Sequence, residues 1–308
     1  MLSKTKSKRN CKSKDKANGK SETESQKAKS QRPRAKSQAK MTQTELMNTD
    51  KAKAVKNIVV RKCTGIDEFK ACVELQKEVW KFEDAELVPL RMFVVAEKVG
   101  GQIIGAFAGD SIVGYVFSVP GNRAGHPYLH SHMLAVRESY RNHGLGRLLK
   151  LAQRQEAMER GFELIEWTFD PLEIKNAWLN MVKLGAIARR YYVNHYGYTS
   201  SVLHRGLPTD RLVAEWWLKS KRVLNLLDSG KTPAFETVKK INMPAEIYSW
   251  RASATDLPKA AEVQKRNREE FLQAFSQGLV VLGYERDSAD NGTFLLGRWD
   301  EDWSYASA

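Results

Sequence analysis

The sequence predicts an α/β (α+β) fold, a sheet flanked by helices. Stretches of strand-like apolar patterning alternate with stretches of helical spacing from about residue 57 onward. Within them, an apolar run at 128–136 ends in a basic, glycine-bearing turn, Arg141-Asn142-His143-Gly144-Leu145-Gly146, and a helix with an apolar face follows at once. The chain has 308 residues, 42% of them hydrophobic, ample for one large core or two modest ones.

Residues 1–56 stand apart. They hold 17 Lys and Arg against 5 Asp and Glu and no aromatic residue. Such a segment cannot bury enough apolar area to offset its ordering entropy, so it reads as a disordered basic tail. Of the net charge of +14, +12 belongs to this tail and +2 to everything after it. The folded part is therefore nearly neutral. The tail offers a polyanion a weak contact but no aromatic side chains on which bases would stack, and a solvated extension accounts for the same composition.

The elements follow in order. Residues 58–61 read as a strand. Thr64 and Asp67 have capping-box spacing, and Phe69, Cys72, Val73, Leu75, Val79 and Trp80 give helical spacing. An acidic loop at 83–86 leads through Pro89 into a short helix. Strands are expected at 102–108 and 112–119, turning at Gly109-Asp110, then a loop at 120–127 and a strand at 128–136. A helix at 145–160 stops at Gly161; a strand at 164–169 and a helix at 176–184 come next, the latter ended by Gly185. Closing strands are expected at 186–193 and 198–204. Beyond Gly206 the sequence predicts a Trp-containing helix at 211–227, a loose Pro-containing stretch, a helix at 257–277, and a hairpin of 279–284 with 293–296 turning at Asn291-Gly292.

Three cysteines, Cys11, Cys63 and Cys72, give an odd count without repeated spacing, which speaks against a disulfide framework or zinc site. Cys63 and Cys72 have apolar neighbours and are expected to pack as small hydrophobes. No run approaches the ~18 apolar residues of a membrane span, and the N-terminus lacks a secretory pattern, so a soluble, cytoplasmic setting is expected.

The chemistry centres on the turn. Free N–H groups at a helix N-terminus favour a phosphate, glycines let it approach the backbone, and Arg141 offers a forked cation. A dinucleotide fingerprint would need glycine where Leu149 stands, and the phosphate-loop pattern is absent. The ligand is expected to be a different pyrophosphate.

Arg141–Gly146 resembles the Arg/Gln-x-x-Gly-x-Gly/Ala signature of the GNAT superfamily of N-acetyltransferases. Leu134-Ala135-Val136 is similar to that family's fourth strand, and Asn176-Ala177 with Lys183-Leu184-Gly185-Ala186 to its segment after the fifth. The resemblance, strongest to larger bacterial members with a C-terminal extension, implies a mixed, mostly antiparallel sheet splayed between strands 4 and 5. It places a transferase domain at 57–205 and a C-terminal α/β extension at 206–308.

The resemblance further implies acetyl-CoA as cosubstrate; no metal is expected. The pyrophosphate would rest on Asn142, His143, Gly144, Leu145, Gly146 and Arg147 with Arg141 nearby, the pantetheine arm on Leu134, Ala135 and Val136, and Asn176 on its other side. A small-molecule or peptide amine would attack the thioester directly. The family's frequent base position falls on His130, with His132 on the same strand face. Glu166 and Asp170 are alternative bases. His126, His130 and His132 lack a nearby Cys or acidic residue to complete a metal set. The family's usual tyrosine acid falls on Met181 or Lys183; Tyr191, Tyr192 and Tyr196 follow, with Tyr192 the candidate, and strand packing or a protonating water are alternatives. The acidic loop with Glu83, Asp84 and Glu86 would face a cationic acceptor, or simply solvent. Trp216 and Trp217 are expected to pack the extension onto the main domain. The missing tyrosine leaves a non-catalytic acyl-CoA-binding or regulatory module as the alternative function.

Overall fold

A computed structural model describes residues 57–197 and 206–305. The basic tail, Cys11 and the strand expected at 198–204 lie outside the described residues.

The first half builds as its patterning dictates. Strand β1 (Ile58–Lys62) precedes helix α1 (Gly65–Trp80) and helix α2 (Leu90–Lys98). Thr64 is the N-cap of α1, but its side chain makes no capping bond; Glu68, not Asp67, reaches back to its N–H at 2.6 Å. Strands β2 (Gln102–Ala108), β3 (Ser111–Arg123) and β4 (His126–Val136) form an antiparallel meander. The loop expected at 120–127 is instead ladder, closed by a tight turn in which Ala124 (φ 49°) and Gly125 (φ 86°) are both left-handed. Pro120 and Pro127 hid this, because proline in a strand run reads as a break.

Helix α3 (Leu145–Glu159) and strand β5 (Leu164–Phe169) follow, then a short helix α4 (Ile174–Trp178) that continues as a π-helical turn over Leu179–Lys183. Strand β6 is Ile187–Tyr192. The helix expected at 211–227 is corrected. Arg211–Trp217 is strand β7, and the helix, α5, begins only at Lys221, capped by Ser220 Oγ on Val223 N–H at 3.3 Å, and ends at Gly230 (φ 75°). Strand β8 (Lys239–Met243) and helix α6 (Ile247–Ala252) fill the stretch expected to be loose. Helix α7 (Leu257–Ser276) and strands β9 (Val280–Arg286) and β10 (Gly292–Gly297) complete the chain. Their connection is a longer loop organised by Asp287 rather than a two-residue turn, with Gly292 already in β10.

Among the described residues the strands form one ten-stranded sheet, ordered β1-β2-β3-β4-β5-β7-β6-β9-β10-β8. Every pairing is antiparallel except β4 with β5. Helices α1 and α2 cover one face, packing Phe69 and Phe93 on Tyr115, Phe117 and Met133. Helix α3 covers the other with Leu145 and Leu149. The largest core continues on that second side, joining Trp167 and Trp216 to Phe271 of α7 and Phe294 of β10. Trp217 points to the first side, where Trp303 and Tyr305 of the C-terminal segment pack on it at 5.8 and 5.0 Å. Cys63 and Cys72 are buried and free, packed with the aromatic residues under α1.

Candidate active site

The glycine turn is built to be open. After β4 the chain makes a 3-10 turn over Glu138–Tyr140 and passes through two left-handed residues, Asn142 (φ 65°) and Gly144 (φ 78°), before α3. Asparagine and glycine are the residues that adopt this conformation at least cost. Leu145, 2% exposed, pins the helix start to the sheet. Gly144 is the N-cap and supplies no side-chain oxygen. Among the described residues, no hydrogen bond uses the N–H groups of Asn142 through Arg147. A Cβ on Gly144 would meet nothing within 4 Å. Arg141 Nε donates to Val136 O at 3.0 Å and Arg147 Nε to Lys183 O at 3.3 Å, so each guanidinium is braced at the turn. Open amides, aligned helix dipole and two braced cations suit a diphosphate.

The strand leading to this turn has a bare edge. Parallel pairing of β4 with β5 is limited to Leu129–Ile165 and His130–Glu166. Beyond them the strands part, and among the described residues Leu134, Ala135 and Val136 have β3 on one side and no ladder partner on the other. The β3–β4 register slips between Phe117–Met133 and Ser118–Ser131, leaving His132 as a bulge. Its effect is visible in the packing: Leu129 and Ser131 face α3, whereas Met133 and Ala135 face α1 and α2. Bulges re-aim side chains in this way. His132 lies edge-on to Phe117, and its ring centroid is 6.3 Å from that of His130, on the same face. Desolvation, then the nearby His130, lowers the His132 pKa.

At the apex of the splay sits a charge cluster. Glu166, on β5 and 5% exposed, receives Arg123 and Arg190 on Oε2, the latter at 2.6 Å, and its Oε1 lies 3.7 Å from His130 Nδ1. Arg190 also donates Nε to Glu215 Oε1 at 3.1 Å. Glu215, 1% exposed on β7, holds Arg189 at 2.7 Å and accepts from Trp217 Nε1 at 3.1 Å. Burial by itself would raise the Glu166 pKa, but His130, Arg190 and Arg123 outweigh it and hold the carboxyl at about 2. Glu166 is thus ionised at neutral pH and held by two guanidinium groups. Arg123, Arg190 and Glu215 were not anticipated; their signal was charge placed inside otherwise apolar strand sequence, as in Leu212-Val213-Ala214-Glu215-Trp216-Trp217.

The tyrosines separate cleanly. Tyr191 is buried and donates to Asp210 at 2.7 Å; burial and that carboxylate push its pKa up. Tyr192 is 40% exposed and stacks on His195 at 4.8 Å. Tyr196 OH pairs with Thr168 Oγ1 at 2.7 Å, two residues along β5 from Glu166. Asp170 pairs with Arg251 at 3.3 Å. Met181, where the family's tyrosine would fall, is fully buried. Asn176 is exposed on α4. The acidic loop contains a 3-10 turn at Asp84–Glu86, and Trp80 stacks on Phe82 at 5.7 Å beside it. Among the described residues, no group of three His, Cys, Asp or Glu is placed to hold a metal, and no helix is long and apolar enough to cross a membrane.

Comparison with known proteins gives a family match at residues 67–177, to the acetyltransferase (GNAT) family. No curated protein matches the chain in sequence. Among solved structures, the ribosomal-protein-S18-alanine N-acetyltransferase from Escherichia coli aligns at 13% identity, covering 53% of this chain and 95% of that one, TM-score 0.43. The aminoglycoside 6'-acetyltransferase type Ii aligns at 16% identity, covering 53% and 99%, TM-score 0.43. A GNAT family acetyltransferase from Elizabethkingia anophelis with acetyl-CoA bound aligns at 14% identity, covering 52% and 98%, TM-score 0.39.

Proposed function

The chain carries an acetyltransferase (GNAT) domain over residues 67–177, and from that premise we propose that it moves an acetyl group from acetyl-CoA to a primary amine by direct attack. The supporting observation is the row of unused N–H groups from Asn142 to Arg147, set beside a strand edge with no ladder partner. The diphosphate of the cosubstrate would rest on those amides with Arg141 alongside. Its pantetheine arm would follow Leu134, Ala135 and Val136, with Asn176 opposite. Bound acetyl-CoA would supply the activated carbonyl, and a backbone N–H on β4 would polarise it.

The chain's own residues then manage protons. A neutral-range amine is mostly protonated, so a base must free its lone pair. His130 stands at the apex where β4 and β5 part, with a side chain 26% exposed. It takes the proton. Glu166, held ionised far below neutrality, is a poor reservoir for that proton. For the acid, Tyr196 lies over β5 through its Thr168 bond, whereas Tyr192 is turned onto His195. The transferase domain is proposed over residues 57–205, with its sheet completed by β7 from the C-terminal part.

Isothermal titration with acetyl-CoA tests the cofactor site. Binding is expected in the native protein and not in Gly144→Glu, which forces a bulky anion into the open turn. Equal heat in both, or none in either, removes the support. The buried Met181 favours a second reading, a non-catalytic acyl-CoA-binding module. His130→Ala separates the two: normal binding with lost thiol release supports the transferase.

A further inference from the structure

We propose that Glu166 is a positioning residue that fixes the proton of His130 on Nδ1 and so presents the Nε2 lone pair to the acceptor amine. This rests on the reading of His130 as the base.

The argument is one of hydrogen-bond accounting. Both guanidinium groups that reach Glu166 bond to the same oxygen, Oε2. The other oxygen, Oε1, lies 3.7 Å from His130 Nδ1. The Glu166 side chain is 7% exposed and the His130 side chain 26%, so the two meet at the partly open rim of the cleft. An anionic oxygen at this distance attracts the imidazole N–H, because charge-assisted hydrogen bonds are the strong ones. The imidazole can supply one only with its proton on Nδ1, and the neutral ring then has a bare Nε2. The present distance is long for a hydrogen bond; such contacts are commonly loose before substrate binds and tighten afterward.

The carboxylate cannot swing away. Arg190 bridges it to Glu215 through Nη2 at 2.6 Å and Nε at 3.1 Å. Glu215 is itself fixed by Arg189 and Trp217 Nε1. Arg123 grips from β3. Thus β3, β5, β6 and β7 all contribute to a brace around Glu166. Besides Glu166, His132 from β4 lies beside the His130 ring and His195 after β6 interacts with it electrostatically, while Arg123 from β3 and Arg190 from β6 sit on the Glu166 carboxylate. Cations on the far side of Glu166 leave its Oε1 as the acceptor that orients the ring.

The test is nitrogen NMR on the whole protein with 15N-labelled histidine, with thiol release measured alongside. In the native protein at alkaline pH, the signature expected is protonated Nδ1 and bare Nε2. In Glu166→Gln the preference is lost, and turnover falls about 100-fold, within the usual range for a base, while acetyl-CoA binding is unchanged. Should Glu166→Gln fail to fold, Glu166→Asp keeps the charge but withdraws it by one methylene. An intermediate tautomer ratio in Glu166→Asp supports the assignment. A native ring protonated on Nε2, or an unchanged tautomer in both Glu166 variants, overturns it. The NMR arm needs neither cosubstrate nor acceptor. Its failure is therefore distinct from failure of acetyl transfer, which calorimetry and thiol release report.

Discussion

Glu166 shows how one side chain can be read differently at each stage. From sequence it is a carboxylate on a strand beside a candidate histidine, which makes it a candidate base. In the structure it is surrounded by cations and cannot titrate near neutrality. Nothing in the sequence ties residue 166 to 123, 190 and 215, because the sheet order that joins them is not local. The turn at 141–146 was legible for the opposite reason: every residue it needs is contiguous. Ionised Glu166 favours the native state. Its pKa lies below the ordinary 4.5, so its contribution is complete above about pH 4.5 and disappears as pH falls towards 2. The shift corresponds to about 3 kcal/mol. Urea midpoints should therefore fall across that window in the native protein and fall less in Glu166→Gln; parallel curves would contradict this.

At the scale of elements, the strands with alternating or flanked patterning were legible, and β2 and β5 match their expected bounds. Strand β7 was not. It is buried on both faces, so its apolar run has no period to distinguish strand from helix. The π-helical turn after α4 was likewise invisible, since propensity does not separate it from an α-helix. The contact between α3 and the sheet carries its own prediction. Lys150, 2% exposed, places Nζ on Ser131 Oγ at 2.8 Å, on Gln153 Oε1 at 3.0 Å and over the Trp167 ring at 3.6 Å. Burial drives its pKa well below 10.5. The unfolded chain then binds the extra proton, so this residue costs stability at neutral pH and costs less as pH rises to 10.5. Lys150→Met should raise the Tm at pH 7 by a few degrees, roughly what one to two kcal/mol yields in a domain this size. The gain should shrink at pH 10. A variant less stable than wild type at pH 7 would show that the ammonium is well satisfied where it lies.

For the whole molecule, the decisive fact is that the sheet does not stop where the composition changes at Gly206. Strand β7 inserts between β5 and β6, and α7 and β10 share one core with Trp167 and Trp216. The C-terminal third is thus needed to bury the middle of the sheet. A chain ending after Leu218 should lose cooperative unfolding and bind a hydrophobic dye, while residues 57–308 should melt in one transition by both circular dichroism and tryptophan fluorescence. Two separated transitions in the longer chain would show that the halves are independent.

The insertion of β7 also sets a schedule for biosynthesis. When β5 leaves the ribosome its outer edge has no neighbour, and the strand that will occupy that place starts only at Arg211. Until then, the nascent polypeptide displays an apolar edge of Leu164-Ile165-Glu166-Trp167, the kind of template on which chains aggregate. A pause in translation between residues 170 and 210 would lengthen that exposure, whereas a holdase that shields the edge over the same interval would raise the yield of folded protein.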